Sequence, residues 1–403
     1  MTNPTAADRP ALRVLFLTHA YPRWSGDAAG SFILRLAKAL RDERIDVTVL
    51  TPHAAGLASR ETIEGIPVMR FRYAPLSLET LAYTGTMAEQ VRASWLARGA
   101  LASFLGAGFW RVMRAQRQLA PDILHAHWWF PSGVIAAATS ALTAVPLVTT
   151  MHGSDVRLAR SIKPARNALS WVLRSSRAST TVSRWLATEA HALAPGQPEP
   201  VVAPMPAATD LFSPGGERAA NNLLYVGRLN AQKGIELLLQ AVAGSRIAVS
   251  LDVVGDGPDR ERLRTAAASL GIADRVTWHG SLPQHELPSL YRHAAAVVIP
   301  SRDEGLGLVA VEALLCETPV VAFDSGGLRD IIKHETTGLL VTDFTPQALA
   351  HGIDELLESP VRAASWGKAG RESVLRVFAP AAVARTYATI YRDALTAASS
   401  RRA

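Results

Sequence analysis

Apolar residues along this chain come in short runs, and between the runs they return every third or fourth position. That alternation predicts strand after helix. Leu12 to Leu17 reads as a strand, and over 31–40 Phe32, Ile33, Leu36, Ala37 and Leu40 share one face of a helix. Residues 18–30 between them form a loop rich in small residues. Further strands are predicted over 47–50, 67–72, 122–125, 146–150, 178–182 and 201–203, with a helix over 133–143. Strands and helices at this rhythm argue for a doubly wound parallel sheet.

The composition then shifts. Ala203-Pro204-Met205-Pro206, Pro214-Gly215-Gly216 and Ala219-Ala220-Asn221-Asn222 read as a linker. A second alternating series begins at 223–226, continues through 235–242, 249–254 and 294–299, and runs on to 320–323. The chain therefore predicts two α/β domains, 1–205 and 206–376, in keeping with a length of 403 residues. Two last helices, over 361–376 and 381–394, have no strand between them.

One stretch carries unusual chemistry: Ser301-Arg302-Asp303-Glu304-Gly305-Leu306-Gly307-Leu308-Val309-Ala310-Val311-Glu312-Ala313. It follows a strand ending at Pro300 and leads into a run of helix formers. Gly305 and Gly307 let backbone N–H groups approach a ligand, and a helix start there offers an anion its free N–H groups and positive dipole end. Glu304 and Glu312 bracket the loop and suit hydroxyl pairs of a phosphorylated sugar. The plainer alternative has Glu304 capping a loop and Glu312 on a solvated face. After the first strand of the second half comes Gly227-Arg228-Leu229-Asn230-Ala231-Gln232-Lys233-Gly234. Arg228 can present a planar fork to phosphate oxygens and Lys233 a point charge, unless this is only a solvated basic loop.

Glu304 to Glu312 resembles the E-x-F-G-x-x-x-x-E signature of the retaining glycosyltransferases of family four (group 1), with Leu306 where the family has Phe. Gly227 to Gly234 resembles the G-R-L-x-x-x-K-G of the same family, and Val253-Val254-Gly255-Asp256-Gly257-Pro258 its V-G-x-G-P turn. The resemblance implies the GT-B fold, two Rossmann-like domains facing across a cleft, with the carboxyl-terminal helix 377–403 crossing back onto the first. It implies a donor site made by Arg228, Lys233, Gly305, Leu306, Gly307, Leu308, Val309 and Glu312. Gly30 joins this set, in Ala29-Gly30, where the family has a glycine pair. Glu304 and His152 are the implied catalytic residues; Met151-His152-Gly153-Ser154-Asp155 resembles the family's H-G-x-D stretch. A lone histidine is more often structural, so the strand end and the Gly-x-Asp context carry this assignment. Asp155, His127 and Trp128 are candidates for the acceptor cleft. His125 and His127 also suggest a metal pair, but no third ligand is visible in the sequence.

The single cysteine, Cys316, forms no disulfide and predicts a reducing, cytoplasmic setting. Met1 to Ala11 is polar and lacks the apolar core of a signal peptide. The span from Ile123 to Ser154 holds no charge but is broken by Pro131, Gly133 and Pro146, which argues against a membrane-spanning helix. The formal net charge of +7 divides as +9 over 1–205 and −2 over 206–403, pointing the first half toward an anionic partner. Residues 89–120 add Trp95, Phe104, Phe109 and Trp110 to Arg92, Arg98, Arg111, Arg114 and Arg117. Such a stretch suits an anionic membrane surface, or is an ordinary helix pair with its aromatic face inward.

The expected activity is transfer of a hexose-type sugar from a nucleotide-diphosphate sugar to a glycan, lipid-linked or small-molecule acceptor, with retention. The chain has no Asp-x-Asp pair, so a metal-independent reaction without cofactor is expected. Two alternatives stay open: a GT-B sugar phosphorylase or epimerase, and a non-catalytic nucleotide-sugar-binding subunit. A nucleic acid is not an expected partner.

Overall fold

The computed structural model describes residues 11–83 and 85–399. The polar amino-terminal stretch and the last residues of the expected crossing segment fall outside this range. The first sheet is built from β1 (Leu12–Leu17), β2 (Ile45–Pro52), β3 (Arg60–Ile63), β4 (Ile66–Phe71), β5 (Ile123–His127), β6 (Leu147–Met151), β7 (Ala178–Thr181) and β8 (Val201–Val202). Their order is β3-β4-β2-β1-β5-β6-β7-β8. Val14 of β1 lies opposite Val47 on one side and Ile123 on the other. Every residue of β5 and β6 is buried, which explains their unbroken apolar reading: helices cover both faces of a parallel sheet.

One strand departs from the expected all-parallel sheet. β3 runs antiparallel to β4, joined by Glu64 and Gly65, both at positive φ, in a two-residue hairpin. Its sequence, Arg60-Glu61-Thr62-Ile63, is too polar to read as a strand; only the Glu-Gly pair marks the turn.

The second sheet is parallel throughout and comprises β9 (Asn222–Val226), β10 (Ser250–Val254), β11 (Val276–Gly280), β12 (Ala296–Ile299), β13 (Val320–Phe323) and β14 (Leu339–Val341), in the order β11-β10-β9-β12-β13-β14. Leu223, Val253, Val298, Phe323, Leu349 and Trp366 are among the residues of its core.

The chain divides into two compact units, the first formed by residues up to Met205 together with those from Pro380 onward, the second by Pro206–Ala379. Return to the first unit thus begins three residues beyond the expected 377. The helix Pro360–Phe378 runs two residues past Arg376, and Ala379, extended before Pro380, breaks it. The helix Pro380–Ser399 then packs on the first unit, where Tyr387 Oη donates to the Ala203 carbonyl and Tyr391 Oη is 2.7 Å from His125 Nδ1.

Candidate active site

In an open parallel sheet, ligands bind beyond the carboxyl ends of the strands, where neighbouring connections leave in opposite directions. In the second unit that point lies between β9 and β12, and the two motif loops leave from these strands. Gly234 sits at φ 69°, and a Cβ there would overlap the Pro300 carbonyl, so only glycine permits this backbone contact. The contact brings Lys233 to Glu304, 71 positions away in sequence: Nζ to Oε2 is 2.7 Å, in a half-buried ion pair. Asn230 caps the turn by accepting the Lys233 amide at 3.2 Å, and Arg228 is exposed beside it. Gly255 and Gly257 lie against the Gly227 and Leu229 carbonyls, so the Val-Gly-Asp-Gly-Pro turn props the Arg228 loop.

A third loop was not read from the sequence. Gly326 lies against the backbone of Glu304, the Gly327 amide donates to the Glu304 carbonyl at 2.8 Å, and Ser325 Oγ accepts the Asp303 amide. The Ser-Gly-Gly run just after β13 was its signal. Gly305 and Leu306 are buried, and Gly307 at φ 93° caps the helix Leu308–Leu315, whose first amides, on Leu308 and Val309, have no acceptor within the helix. Glu312 lies little more than one turn into this helix. Tyr291 Oη donates to one of its oxygens at 2.9 Å and Gln284 Nε2 to the other at 3.0 Å. Burial, and then the Glu312 charge, push the Tyr291 phenol well above its usual range. Glu312 is therefore oriented by two donors rather than lying on a solvated face.

In the first unit the corresponding point lies between β1 and β5. Gly30, left-handed at φ 67°, starts the helix Ser31–Ala39, and a Cβ there would overlap the Ala20 carbonyl. His125 and His127 do share one side of β5, with rings 4.2 Å apart, but both are 0% exposed. His125 bonds to Tyr391 and Thr150, and His127 Nδ1 faces His152 Nε2 at 3.2 Å. Among the described residues the pair gains no third ligand that would suit a metal ion. His127 is set behind His152 and does not line a ligand surface, which corrects its expected place in the acceptor cleft. Burial holds these imidazoles neutral: His125 is pushed down to about 3 and His127 and His152 well below the usual value.

Asp155 lies in the wall of a cavity of the first unit, but its carboxylate is turned to backbone. Its carboxylate accepts backbone N–H bonds from Trp129, His152, Gly153 and Val156 at 2.9–3.1 Å. It fixes the turn that presents His152. Burial raises its pKa against the pull of those four donors. Phe32 packs near His152 at 5.4 Å between ring centroids and Trp128 at 4.3 Å, and these two rings lie 6.1 Å from each other, so aromatic packing restricts the imidazole.

Beside this cluster the first unit contains a cavity of about 620 Å³, a volume suited to a small organic ligand. Trp128 forms part of its wall, as does His19, which the sequence reading missed. His19 Nδ1 is buried and has no hydrogen-bond partner among the described residues, and burial lowers its pKa to about 4. The helices Met87–Ala93 and Trp95–Leu119 close one side. The second does not turn all its aromatics inward. Phe104 is buried against Phe71 and Tyr73, whereas Trp95 is 81% exposed, Trp110 72% and Leu96 68%.

Comparison with known proteins adds the family. The family described as "Glycosyl transferase 4-like domain" matches residues 28–205, and "Glycosyl transferases group 1" matches 211–373. A D-inositol 3-phosphate glycosyltransferase of Thermobispora bispora is 32% identical over 409 residues, covering 92% of this chain and 91% of that protein. A 2-deoxystreptamine glucosyltransferase of Streptomyces kanamyceticus is 29% identical, covering 84% of this chain and 92% of its own. Among solved structures, a sucrose-phosphate synthase from Thermosynechococcus elongatus superposes with a TM-score of 0.82 at 24% identity, over 96% of this chain and 100% of that one. Anabaena HepE in complex with UDP and glucose gives 0.72 at 20% identity, over 94% and 99%. None of the described helices is long and apolar enough to cross a membrane. With a family match on each unit and a relative 32% identical across nine tenths of both proteins, this chain belongs to the group 1 glycosyl transferases and has their GT-B fold.

Proposed function

We propose that this glycosyltransferase moves a hexose, with retention, from a nucleotide-diphosphate sugar held by the second unit to a hydroxyl acceptor held by the first. The observation that carries this reading is the Lys233–Glu304 pair beside exposed Arg228 at the start of the helix Leu308–Leu315. In this reading the diphosphate takes Lys233 from Glu304, and Arg228 and the amides of Leu308 and Val309 share the remaining charge. Glu304, released, accepts hydroxyls of the transferred sugar, and Glu312 accepts those of the ribose. His152 is assigned to the transferred group as a neutral hydrogen-bond partner, and Gly30 to the donor's diphosphate. The family relationship supports a sugar-nucleotide donor: Anabaena HepE binds UDP-glucose.

Asp155, the carboxylate nearest His152, is saturated with N–H donors and so is a poor general base. This supports proton transfer from the acceptor to the leaving phosphate on the same sugar face. Charge neutralisation by Arg228 and Lys233 supports a reaction without a divalent ion or other cofactor. Incubation with a panel of donors and acceptors is expected to release nucleotide and give a product with the donor's anomeric configuration by NMR, undiminished in EDTA. An inverted product, or loss of transfer in EDTA reversed by a divalent ion, would overturn it. Release of free phosphate or an absence of nucleotide release would favour a phosphorylase or a binding subunit.

The exposed face of the helix Trp95–Leu119 supports peripheral contact with an anionic membrane. Trp95, Leu96 and Trp110 stand outward with Arg98, Arg114 and Arg117, and Arg98 stacks on Trp95 at 4.2 Å. Arg111 is half-buried and contributes less. Changing Arg114 and Arg117 to Ser is expected to weaken binding to vesicles of anionic phospholipid about 30-fold at low salt, at about 1 kcal/mol per charge. Equal binding of both proteins in a sedimentation assay would remove the membrane from the proposal.

A further inference from the structure

The chemistry of the first unit's cavity bears on which acceptor is used. Its wall is largely apolar. Leu81, Val91 and Leu101 stand on one side and Val134, Leu158 and Ala168 on the other. Its polar lining includes Ser154, whose Oγ accepts the Trp128 indole N–H at 3.1 Å, and His19, whose buried Nδ1 is unpartnered; Asp155 and Tyr83 also line it, but the Asp155 carboxylate is taken up by backbone N–H groups and Tyr83 Oη donates to the Pro52 carbonyl. One cationic side chain, Arg92, reaches the lining, and no lysine does. Such a wall does not suit a phosphorylated polyol of the kind named for the inositol phosphate relatives, which calls for several cations or N–H donors around a dianion. It suits an apolar group, with one hydroxyl-sized polar contact at the end nearest His152.

We infer that the acceptor is an amphiphile. Its apolar portion seats in this cavity between the helices Met87–Ala93 and Lys163–Ser175, and its polar end meets Ser154 and the free ring nitrogen of His19. The inference rests on the transferase reading for the word acceptor, but the cavity's preference for apolar groups stands on its lining. The cavity's outer wall is the same helix pair that carries the exposed Trp95 and Trp110, so an apolar chain delivered from a lipid surface would enter beside them. A compact aromatic group in solution would satisfy the same lining.

The test is calorimetric titration of the full chain with n-alkyl glucosides of increasing length below their micelle concentrations. Aryl glucosides and D-inositol 3-phosphate form the other arms. Affinity is expected to rise about fourfold per methylene until the cavity is filled. A steep gain with alkyl length identifies a chain; a gain with aryl groups and none with chain length identifies a compact apolar acceptor. Ala168→Trp, which fills the cavity away from His152, should abolish the gain and leave nucleoside diphosphate binding unchanged. Leu158→Asn serves the same purpose should the larger side chain prevent folding. Absence of any gain in the unmodified protein, or gains that persist in both variants, would overturn the inference. So would D-inositol 3-phosphate binding more tightly than every amphiphile. Amphiphile binding without sugar transfer from any donor would instead count against the transferase reading and leave the cavity's preference in place.

Discussion

Changing Lys233 to alanine is expected to weaken binding of the sugar-nucleotide donor about 100-fold, in line with loss of a charge-assisted contact. Two effects act in the same direction. The diphosphate loses its ammonium partner, and the Glu304 carboxylate, 2.7 Å from that ammonium before the change, is left unpaired beside an incoming anion. Arg228→Ala removes only the first effect and should cost somewhat less. The reciprocal change separates the roles. Glu304→Ala frees Lys233, so free nucleoside diphosphate should bind as well as before or better, while turnover falls about 100-fold or more if Glu304 holds the transferred sugar. Glu312→Ala should weaken even the free nucleotide, because its oxygens are oriented for the ribose by Tyr291 and Gln284. Calorimetry with nucleoside diphosphate and a turnover assay on the four variants decide this. Unchanged donor affinity in both Lys233→Ala and Arg228→Ala would sink the assignment.

The first unit is expected to lose about 2 kcal/mol of stability between pH 7.5 and pH 5 through His125 alone. His125 is wholly buried, and burial pushes its pKa down to about 3. Below about 6.5 the unfolded chain takes up protons that the folded chain refuses. Stability is therefore full above that value and falls as the pH drops toward the folded value. At pH 5 this imidazole accounts for about 2 kcal/mol, a figure set by the unfolded pKa. Tyr387, Tyr391 and His127 face it, and none supplies a negative charge that would hold a proton there. His125→Gln keeps a hydrogen-bonding group without the titration, so its loss over the same pH interval should be smaller by about 2 kcal/mol. Urea unfolding of both proteins at the two pH values measures it, and an equal loss in the two would show that His125 takes up no proton on unfolding.

Sequence and structure agree where local pattern and packing ask for the same residues. β1 and β13 have the predicted bounds because their apolar runs are buried on both faces and end at polar loops. The loops holding Arg228, Lys233, Glu304 and Gly307 were legible because a strand, a glycine turn and a helix start follow one another there. Their meeting was not, since it depends on Gly234 touching Pro300 and Gly326 touching Glu304, contacts between distant segments. The helix Trp95–Leu119 misleads for another reason. Its inward face includes Ala100, Gly108 and Ala115, which let it lie close to its neighbours, and much of its aromatic bulk points out. A rule that places large apolar residues inside reads such a helix upside down. His19 and the two tyrosines of the last helix carry no sequence signal, because their partners Trp128, His125, Thr150 and Ala203 lie 109 to 266 positions away.

The helix Pro380–Ser399 closes the first unit, with Tyr387 and Tyr391 tied to β5, β6 and the end of β8. During synthesis the segments emerge in a different order from the one in which the units become complete. When residue 379 leaves the ribosome, the second unit has all its strands and helices, whereas the first, made earlier, still lacks the helix that covers His125 and Thr150. The unit synthesised first is thus finished last, and until then His125 lacks the two tyrosines that cover it.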